Sequence, residues 1–209
     1  MKKSIITLAI ITFTMLYNVN AQERQFGVKG GLNLASLSVE DADDSNLLTS
    51  FHAGLYANLP VVADFVALQP ELLYSGKGIR VEYTNLVTGE SEYQLNYIDI
   101  PIYLIYNLQT DFYFQAGPYV GILMNAQSET DAEILSFLDL DTEDEIDKDY
   151  FNDIDFGLSA GMGFRVSQLD VGFNYSFGLL PVADEDDSLE PLIGDAKNRV
   201  IQVYVGFRF

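Results

Sequence analysis

Apolar side chains alternate with small or polar ones in eight separate segments of the chain. The clearest is the last segment, in which Ile201, Val203 and Val205 are separated by polar or small residues. Successive residues of a β-strand point to opposite faces, so a period of two predicts a strand with one apolar face. The pattern predicts strands over residues 26–34, 51–59, 66–75, 98–104, 112–126, 154–164, 169–178 and 201–209.

The segments between these strands alternate in length. Short turns are predicted at residues 60–64, 107–111 and 167–168, and long loops at residues 36–49, 76–92, 127–150 and 180–197. Short periplasmic turns and longer external loops are typical of outer-membrane barrels. We therefore predict an all-β fold, an eight-stranded antiparallel up-and-down transmembrane β-barrel with long external loops.

The faces of the predicted strands indicate which side meets lipid. A sheet in hydrocarbon must close on itself, because an open edge leaves backbone N–H and C=O groups unpaired. Eight strands enclose an interior that side chains just fill. We expect a solid polar interior without an open pore, in which Lys29 and Arg208 pair with acids. The expected acidic partners are Glu71, Asp99 and Asp155, and the expected inward tyrosines are Tyr56, Tyr103, Tyr119 and Tyr204.

The N-terminus predicts export. Lys2 and Lys3 precede an apolar run over residues 5–17, and Val19-Asn20-Ala21 is an A-x-A-like cleavage site. We expect residues 1–21 to be a cleaved signal peptide and residues 22–209 to form one barrel domain. The mature part has no apolar run of about 18 residues, so no helical membrane span is predicted.

The charge of the chain is concentrated in the predicted loops. The formal net charge is -20, with 31 acids against 11 Lys and Arg. Ten acids fall between Glu129 and Asp149 alone. Nucleic acid is not expected as a partner, because binding it requires clustered basic residues. The external loops are therefore predicted to be acidic.

Three prolines are unfavourable for the strand prediction. Pro70, Pro101 and Pro118 fall inside predicted strands, although proline cannot donate to a β-ladder. A closed barrel offers no free edge for them. We expect them to mark bulges or local register defects.

Several short motifs resemble those of a known family. They are Leu68-Gln69-Pro70-Glu71-Leu72-Leu73-Tyr74-Ser75-Gly76-Lys77-Gly78, Tyr97-Ile98-Asp99-Ile100-Pro101, Gly117-Pro118-Tyr119, the glycine-rich segment 156–163 and the terminal Gly206-Phe207-Arg208-Phe209. Together they resemble the PorT-type outer-membrane β-barrel family of Bacteroidetes over nearly the whole mature chain. The resemblance implies an eight-stranded barrel in a Gram-negative outer membrane and implies that the strand prolines are ordinary there. It implies little about activity.

Catalytic and cofactor sites are not expected. The chain has no cysteine and His52 is its one histidine, which excludes Cys-His catalysis and multi-histidine metal sites. The alternation places His52 on the inward face, where a hydrogen-bonding role is favoured over a lipid-modifying triad. Gly30-Gly31 and Gly76-Lys77-Gly78 lack the spacing of a phosphate loop. We expect no catalytic, cofactor-binding or metal-binding residues and no cofactor.

The acidic loops leave one weaker metal hypothesis. Asp139, Asp141, Glu143 and Glu145 alternate as in calcium loops, but the glycine and the spacing of an EF-hand are missing. A solvated acidic loop is the favoured interpretation. The alternative is weak binding of Ca²⁺ or Mg²⁺ that bridges the loops to anionic lipid headgroups or to a partner.

Three functions are compatible with the pattern. The first is an integral outer-membrane barrel, not an enzyme, with a structural or interaction role through its acidic loops. Its expected partners are outer-membrane lipid, envelope proteins and lipopolysaccharide bridged by divalent ions, and we expect a monomer. Tyr74, Tyr106 and Tyr175 are then expected at the lipid face. The alternatives are a soluble lipocalin-like periplasmic barrel with an apolar cavity and a lipid-modifying outer-membrane enzyme.

Overall fold

Nine β-strands make up most of the described chain. The computed structural model describes residues 24–38, 47–62, 65–84, 88–108, 111–134, 138–146, 151–182 and 196–209. The predicted signal peptide, residues 1–21, lies outside them. The strands are β1 Gln25–Ser38, β2 Leu48–Val62, β3 Val66–Thr84, β4 Thr88–Asn107, β5 Phe112–Ile134, β6 Leu138–Ile146, β7 Ile154–Val166, β8 Leu169–Gly178 and β9 Lys197–Arg208.

Eight of these strands form a closed antiparallel barrel. The order around the ring is β1, β2, β3, β4, β5, β7, β8 and β9, and β9 pairs again with β1. Each ring strand pairs with its neighbour in sequence, apart from β5, which is followed in the ring by β7. This confirms the predicted eight-stranded antiparallel barrel. No helix in the described residues is long and apolar enough to cross a membrane.

The barrel has two different ends. The connections after β2, β4 and β7 are short, and the connection between β7 and β8 is the predicted two-residue turn at Ser167 and Gln168. We call this the turn end. The opposite end, toward which β3, β4 and β5 extend, is called the loop end. The start of β1 and the last residue of the chain meet at the turn end, where the N–H of Phe209 donates to the carbonyl of Phe26 at 2.9 Å.

The strands continue beyond two of the predicted loop boundaries. The predictions of loops over residues 76–92 and 127–150 are wrong for most of their length, because β3, β4 and β5 extend through them and β6 adds a further strand. β6 pairs with the loop-end half of β5, whereas β7 pairs with its other half. The acidic residues of these two segments indicate that the segments lie in water. A strand can lie in water as well as a loop, so acidic composition alone does not distinguish the two.

The two faces of each ring strand have the predicted composition. Val203 and Val205 on β9 are 52% and 54% exposed on the outward face, whereas Tyr204 between them is 3% exposed. The four tyrosines predicted inside are buried, and the three predicted on the outward face are exposed. A lipocalin-like barrel requires the opposite arrangement, so that alternative is wrong.

The three strand prolines interrupt the pairing of the strands without shifting its register. At each of them the pairing with the preceding ring strand is interrupted and then resumes in the same register. A proline has no N–H to donate, so the ladder loses bonds there while the strand continues. The prediction of bulges or register defects at Pro70, Pro101 and Pro118 is therefore wrong. In the described pairings of β2 with β3 and of β4 with β5, the register shifts between Pro60 and Val62 and between Asn96 and Tyr97.

Candidate functional site

The lumen of the barrel holds three groups of buried charged side chains. They follow from the strand alternation, because every second residue of a ring strand points inward. Such charges persist away from water only when they are paired and hydrogen-bonded.

The first group joins β1 to β3. Lys29 Nζ lies 2.8 Å from Glu71 Oε2 and 3.0 Å from Glu71 Oε1, which confirms the predicted pairing of these residues. The ammonium group also lies 4.0 Å from the centre of the Tyr204 ring, a cation–π distance. Gln69 donates to Glu71 Oε1 at 2.8 Å, so the carboxylate has partners on both sides.

The second group lies nearer the loop end. Lys77 on β3 donates to Asp99 Oδ1 on β4 and to Asp155 Oδ2 on β7, both at 2.8 Å. Its ammonium group lies 4.6 Å from the ring centres of both Tyr97 and Tyr119. The sequence predicted that both acids pair in the lumen, but it assigned Lys77 to a loop. Continuation of β3 past residue 76 is what brings this lysine inside.

The third group closes the turn end. Asp170 on β8 binds Arg165 Nε through Oδ1 at 3.0 Å and accepts from the Tyr56 hydroxyl at 2.8 Å. Arg208 Nε lies 3.0 Å from Asp170 Oδ2, and its Nη2 donates to the Ser167 carbonyl at 2.8 Å. The prediction that Arg208 pairs with Glu71, Asp99 or Asp155 is therefore wrong, because its partner is Asp170.

The charges of the three groups balance. Lys29, Lys77, Arg165 and Arg208 carry four positive charges, and Glu71, Asp99, Asp155 and Asp170 carry four negative charges. These groups therefore contribute no net charge to a chain of formal charge -20. The acidity of the protein resides outside the paired groups of the lumen.

Tyrosine rings fill the remaining space by lying over glycines of adjacent strands. A Cβ added at Gly163 would come within 2.3 Å of the Tyr113 ring, and one at Gly172 within 2.5 Å of the Tyr204 hydroxyl. Tyr56 covers Gly27 in the same way, and Tyr119 covers Gly157. Only a residue without a Cβ leaves room for the ring. The glycines of the alternating pattern therefore determine where the large inward side chains fit.

The packed lumen leaves little open space. A cavity of about 10 Å³ lies beside Lys77, Asp99 and Tyr119. That volume corresponds to about one water molecule and is far below that of an aqueous channel.

An apolar cluster covers the loop end of the lumen. It contains Leu37, Ile79, Leu95, Tyr97, Leu123, Ala126, Phe151, Val182 and Ala196. Backbone hydrogen bonds hold its loop residues, since Asn152 donates to the Val182 carbonyl at 2.9 Å and Val182 donates to Ala196 at 2.8 Å. The polar groups below it are thereby separated from the loop end.

His52 is a hydrogen-bonding residue of the lumen, as predicted. Its Nδ1 lies 2.7 Å from Asn33 Oδ1, and because that amide oxygen accepts, Nδ1 carries the proton. Asn33 in turn donates to the Gly76 carbonyl at 2.7 Å. No serine or acid contacts the ring in the hydrogen bonds of the described residues. Through these bonds the histidine links β2, β1 and β3.

The acidic residues of the metal hypothesis lie on β6. Asp139, Asp141, Glu143 and Glu145 pair in register with β5, and three of these rungs bring acid opposite acid. In the part of the chain that the structure describes, no three His, Cys, Asp or Glu side chains form a group that could hold a metal ion. Gly30 and Gly31 are strand residues of β1, whereas Gly76 and Gly78, which were predicted to lie in a loop, are residues of β3.

Comparison with known proteins agrees with this architecture. A sequence model of the outer membrane protein β-barrel domain family matches residues 20–184, so the chain belongs to that family. It is an integral outer-membrane protein whose outward face meets lipid. The turn end is then periplasmic and the loop end external. No curated protein matches the chain.

Solved structures of other outer-membrane proteins are similar at low identity. Neisserial surface protein A is 12% identical with a TM-score of 0.49, covering 90% of this chain and 100% of its own. Ail of Yersinia pestis, solved with the heparin analogue sucrose octasulfate, is 9% identical with a TM-score of 0.47 and the same coverages. CarO of Acinetobacter baumannii is 12% identical with a TM-score of 0.42, covering 87% of this chain and 97% of its own.

Proposed function

We propose that this protein is a sealed outer-membrane barrel that conducts no solutes and acts as an anchor for its acidic external segments. The observation that carries the proposal is the described part of the lumen, where charge-balanced ion pairs and tyrosine rings surround a cavity of about 10 Å³ beside Lys77. The apolar cluster at the external end adds a second barrier. A barrel of this kind contributes a stable support rather than a route across the membrane.

The interaction role is supported by the strands that extend beyond the barrel. In the pairing of β4, β5 and β6, Glu92 is opposite Glu129, which is opposite Glu143. The next rung contains Glu90, Asp131 and Asp141. These rungs of β4, β5 and β6 concentrate acidic residues at the loop end of a chain whose formal charge is -20. A concentration of acids favours a role in contacting basic envelope proteins or lipopolysaccharide bridged by divalent ions.

Membership of the PorT-type branch found in Bacteroidetes is part of the proposal. It is supported by the motif around Pro70, the Ile100-Pro101 segment and Gly117-Pro118-Tyr119. We further propose a monomer without a cofactor or nucleic-acid partner.

We also propose that the protein is not an enzyme. The support is His52, which is 1% exposed and bonded to Asn33 inside the barrel, away from lipid. Deletion of the gene is expected to leave the acylation pattern of the envelope lipids unchanged. A lost or gained acyl chain that returns on complementation would contradict this part of the proposal.

Conductance measurements test the sealed lumen. Purified protein in planar lipid bilayers is expected to give no stable single-channel steps. A matched variant, Lys77→Ala with Tyr119→Ala, widens only the middle of the lumen, and because the apolar cluster and the group at the turn end remain in place, it is also expected to give no steps. Heat-modifiable migration on gels verifies folding of both proteins. Regular conductance steps from the wild-type protein would overturn the proposal.

Calorimetry tests the divalent-ion bridge. Weak extracellular calcium sites bind with Kd values of about 10⁻⁴–10⁻³ M, and we expect a value in this range. The control replaces Asp139, Asp141 and Glu143 with Asn, Asn and Gln. Equal heats of calcium binding by the wild-type protein and this variant would show that these three acids of β6 do not bind the ion.

A further inference from the structure

Two basic residues lie together on the outward face of the barrel at its external end. The chain has 11 Lys and Arg, and four of them are paired in the lumen. Lys197 and Arg199 instead begin β9, at alternate positions that share the lipid-facing side with Ile201 and Val203. Both are half-buried. They are bases on the surface of a strongly acidic protein.

The pair is located where the lipid-facing surface changes from apolar to polar. Along β1 and β9, the outward rung of Leu34 with Ile201 is followed by Ser36 with Arg199 and then by Ser38 with Lys197. Apolar residues continue from there toward the periplasmic end. The change occurs on both strands at the same rung, so the two bases and two serines stand at the boundary of the hydrocarbon layer.

The guanidinium group of Arg199 is held in place by the barrel. Its Nη1 donates to the Gly178 carbonyl at 3.1 Å, and its Cζ lies 5.9 Å from the centre of the Phe177 ring. Neither Arg199 nor Lys197 has a carboxylate within ion-pair distance among the described residues. Two like charges two residues apart on one strand are separated by about 7 Å and repel each other. An anion between them removes that repulsion.

We propose that Lys197 and Arg199, with the hydroxyls of Ser36 and Ser38, bind a phosphate group of an outer-leaflet lipid. Phosphate is the anion found at this depth of a membrane, and basic side chains beside membrane-spanning segments bind lipid headgroups. Arg199 contributes a planar fork of donors suited to phosphate, and Lys197 a point charge. The acyl chains of the lipid lie against Ile201, Leu34 and Phe177. This site goes beyond the sealed-anchor role, and conductance does not depend on it.

Native mass spectrometry of the full-length mature protein in detergent tests the site. The probes are lipid A with two phosphates, the same lipid after dephosphorylation, and phosphatidylglycerol. Lys197→Gln and Arg199→Gln are each expected to weaken binding of a phosphorylated lipid about fivefold, and the double variant about thirtyfold. The relative affinities of lipid A and phosphatidylglycerol identify which lipid supplies the phosphate.

The matched control is Arg24→Gln, which removes an exposed base at the periplasmic end. It is expected to bind as the wild-type protein does. Heat-modifiable migration verifies that each variant is folded. Unchanged affinity in the double variant, a loss no greater than that of Arg24→Gln, or equal binding of dephosphorylated lipid A would each overturn the proposal.

Discussion

The lumen face and the lipid face of the same barrel strands differ in how specifically their side chains are packed. On the lumen face each large side chain has a particular partner, such as Glu71 for Lys29 or the backbone at Gly163 for the ring of Tyr113. On the lipid face Val203, Val205 and Phe207 share only their apolar character and their exposure. Residues that differ by one position in sequence therefore tolerate very different changes.

The difference follows from what each face contacts. The lumen is a fixed volume bounded by eight strands, so an added methyl group or a lost charge has no space or solvent to absorb it. Lipid chains are fluid and rearrange around the outward side chains. They cannot, however, solvate a charge. The lumen face is therefore sensitive to size and pairing, whereas the lipid face is sensitive to polarity alone.

The largest expected effect is on the lumen face, at Lys77. Lys77→Met leaves Asp99 and Asp155 buried without their shared cation, and loss of one partner of a buried ion pair is expected to destabilise the fold by about 3–5 kcal/mol. The free energy of unfolding is measured by urea titration in detergent micelles. Adding Asp99→Asn and Asp155→Asn to this variant removes the unpaired charges and is expected to restore much of the loss. A single variant as stable as wild type would show that the triad contributes little.

A charge on the lipid face is expected to have the next largest effect. Val205 lies midway along the apolar outward row of β9, and Val205→Arg is expected to destabilise the barrel by about 2–4 kcal/mol. Refolding into lipid vesicles of known thickness measures this. Wild-type stability of refolded Val205→Arg would contradict the claim that the lipid face is sensitive to polarity.

Glycine substitutions compare the two faces directly. Gly163→Ala places a Cβ 2.3 Å from the Tyr113 ring, and this overpacking is expected to cost about 1–3 kcal/mol. Gly30→Ala on the outward face meets its nearest atom at 3.5 Å, so it is expected to be neutral or to stabilise the strand by up to about 1 kcal/mol. Urea unfolding of both variants measures the difference. Equal effects at the two positions would contradict our account of the lumen.

The smallest effect is expected from an apolar exchange on the lipid face. Val205→Leu keeps the position apolar, and its effect is expected to stay within about 0.5 kcal/mol. Measured beside Val205→Arg, it separates the response to size from the response to charge at one site. A loss above about 1.5 kcal/mol, the range of unfavourable core exchanges, would indicate that this face is packed like the lumen.

Much of the lumen could be predicted from local alternation, and the failures have two causes. The inward positions of His52, Lys29 and Glu71 follow directly from the period of two. The inward position of Lys77 does not follow from the alternation, because Gly76-Lys77-Gly78 contains no apolar residue, whereas β3 continues to Thr84. The pairing of Arg208 with Asp170 was missed because the register between β8 and β9 is not encoded in the alternation of either strand.

The sequence by itself determined that this is an all-β barrel protein, because the period of two and the alternating lengths of the connections are local properties. It also determined which face of each strand is apolar. Only the tertiary structure decided which inward charges meet, that prolines interrupt the ladders without shifting them, and that β6 extends the sheet beyond the barrel. These features depend on how strands far apart in the chain align, and the register of a closed barrel is set by all eight strands together.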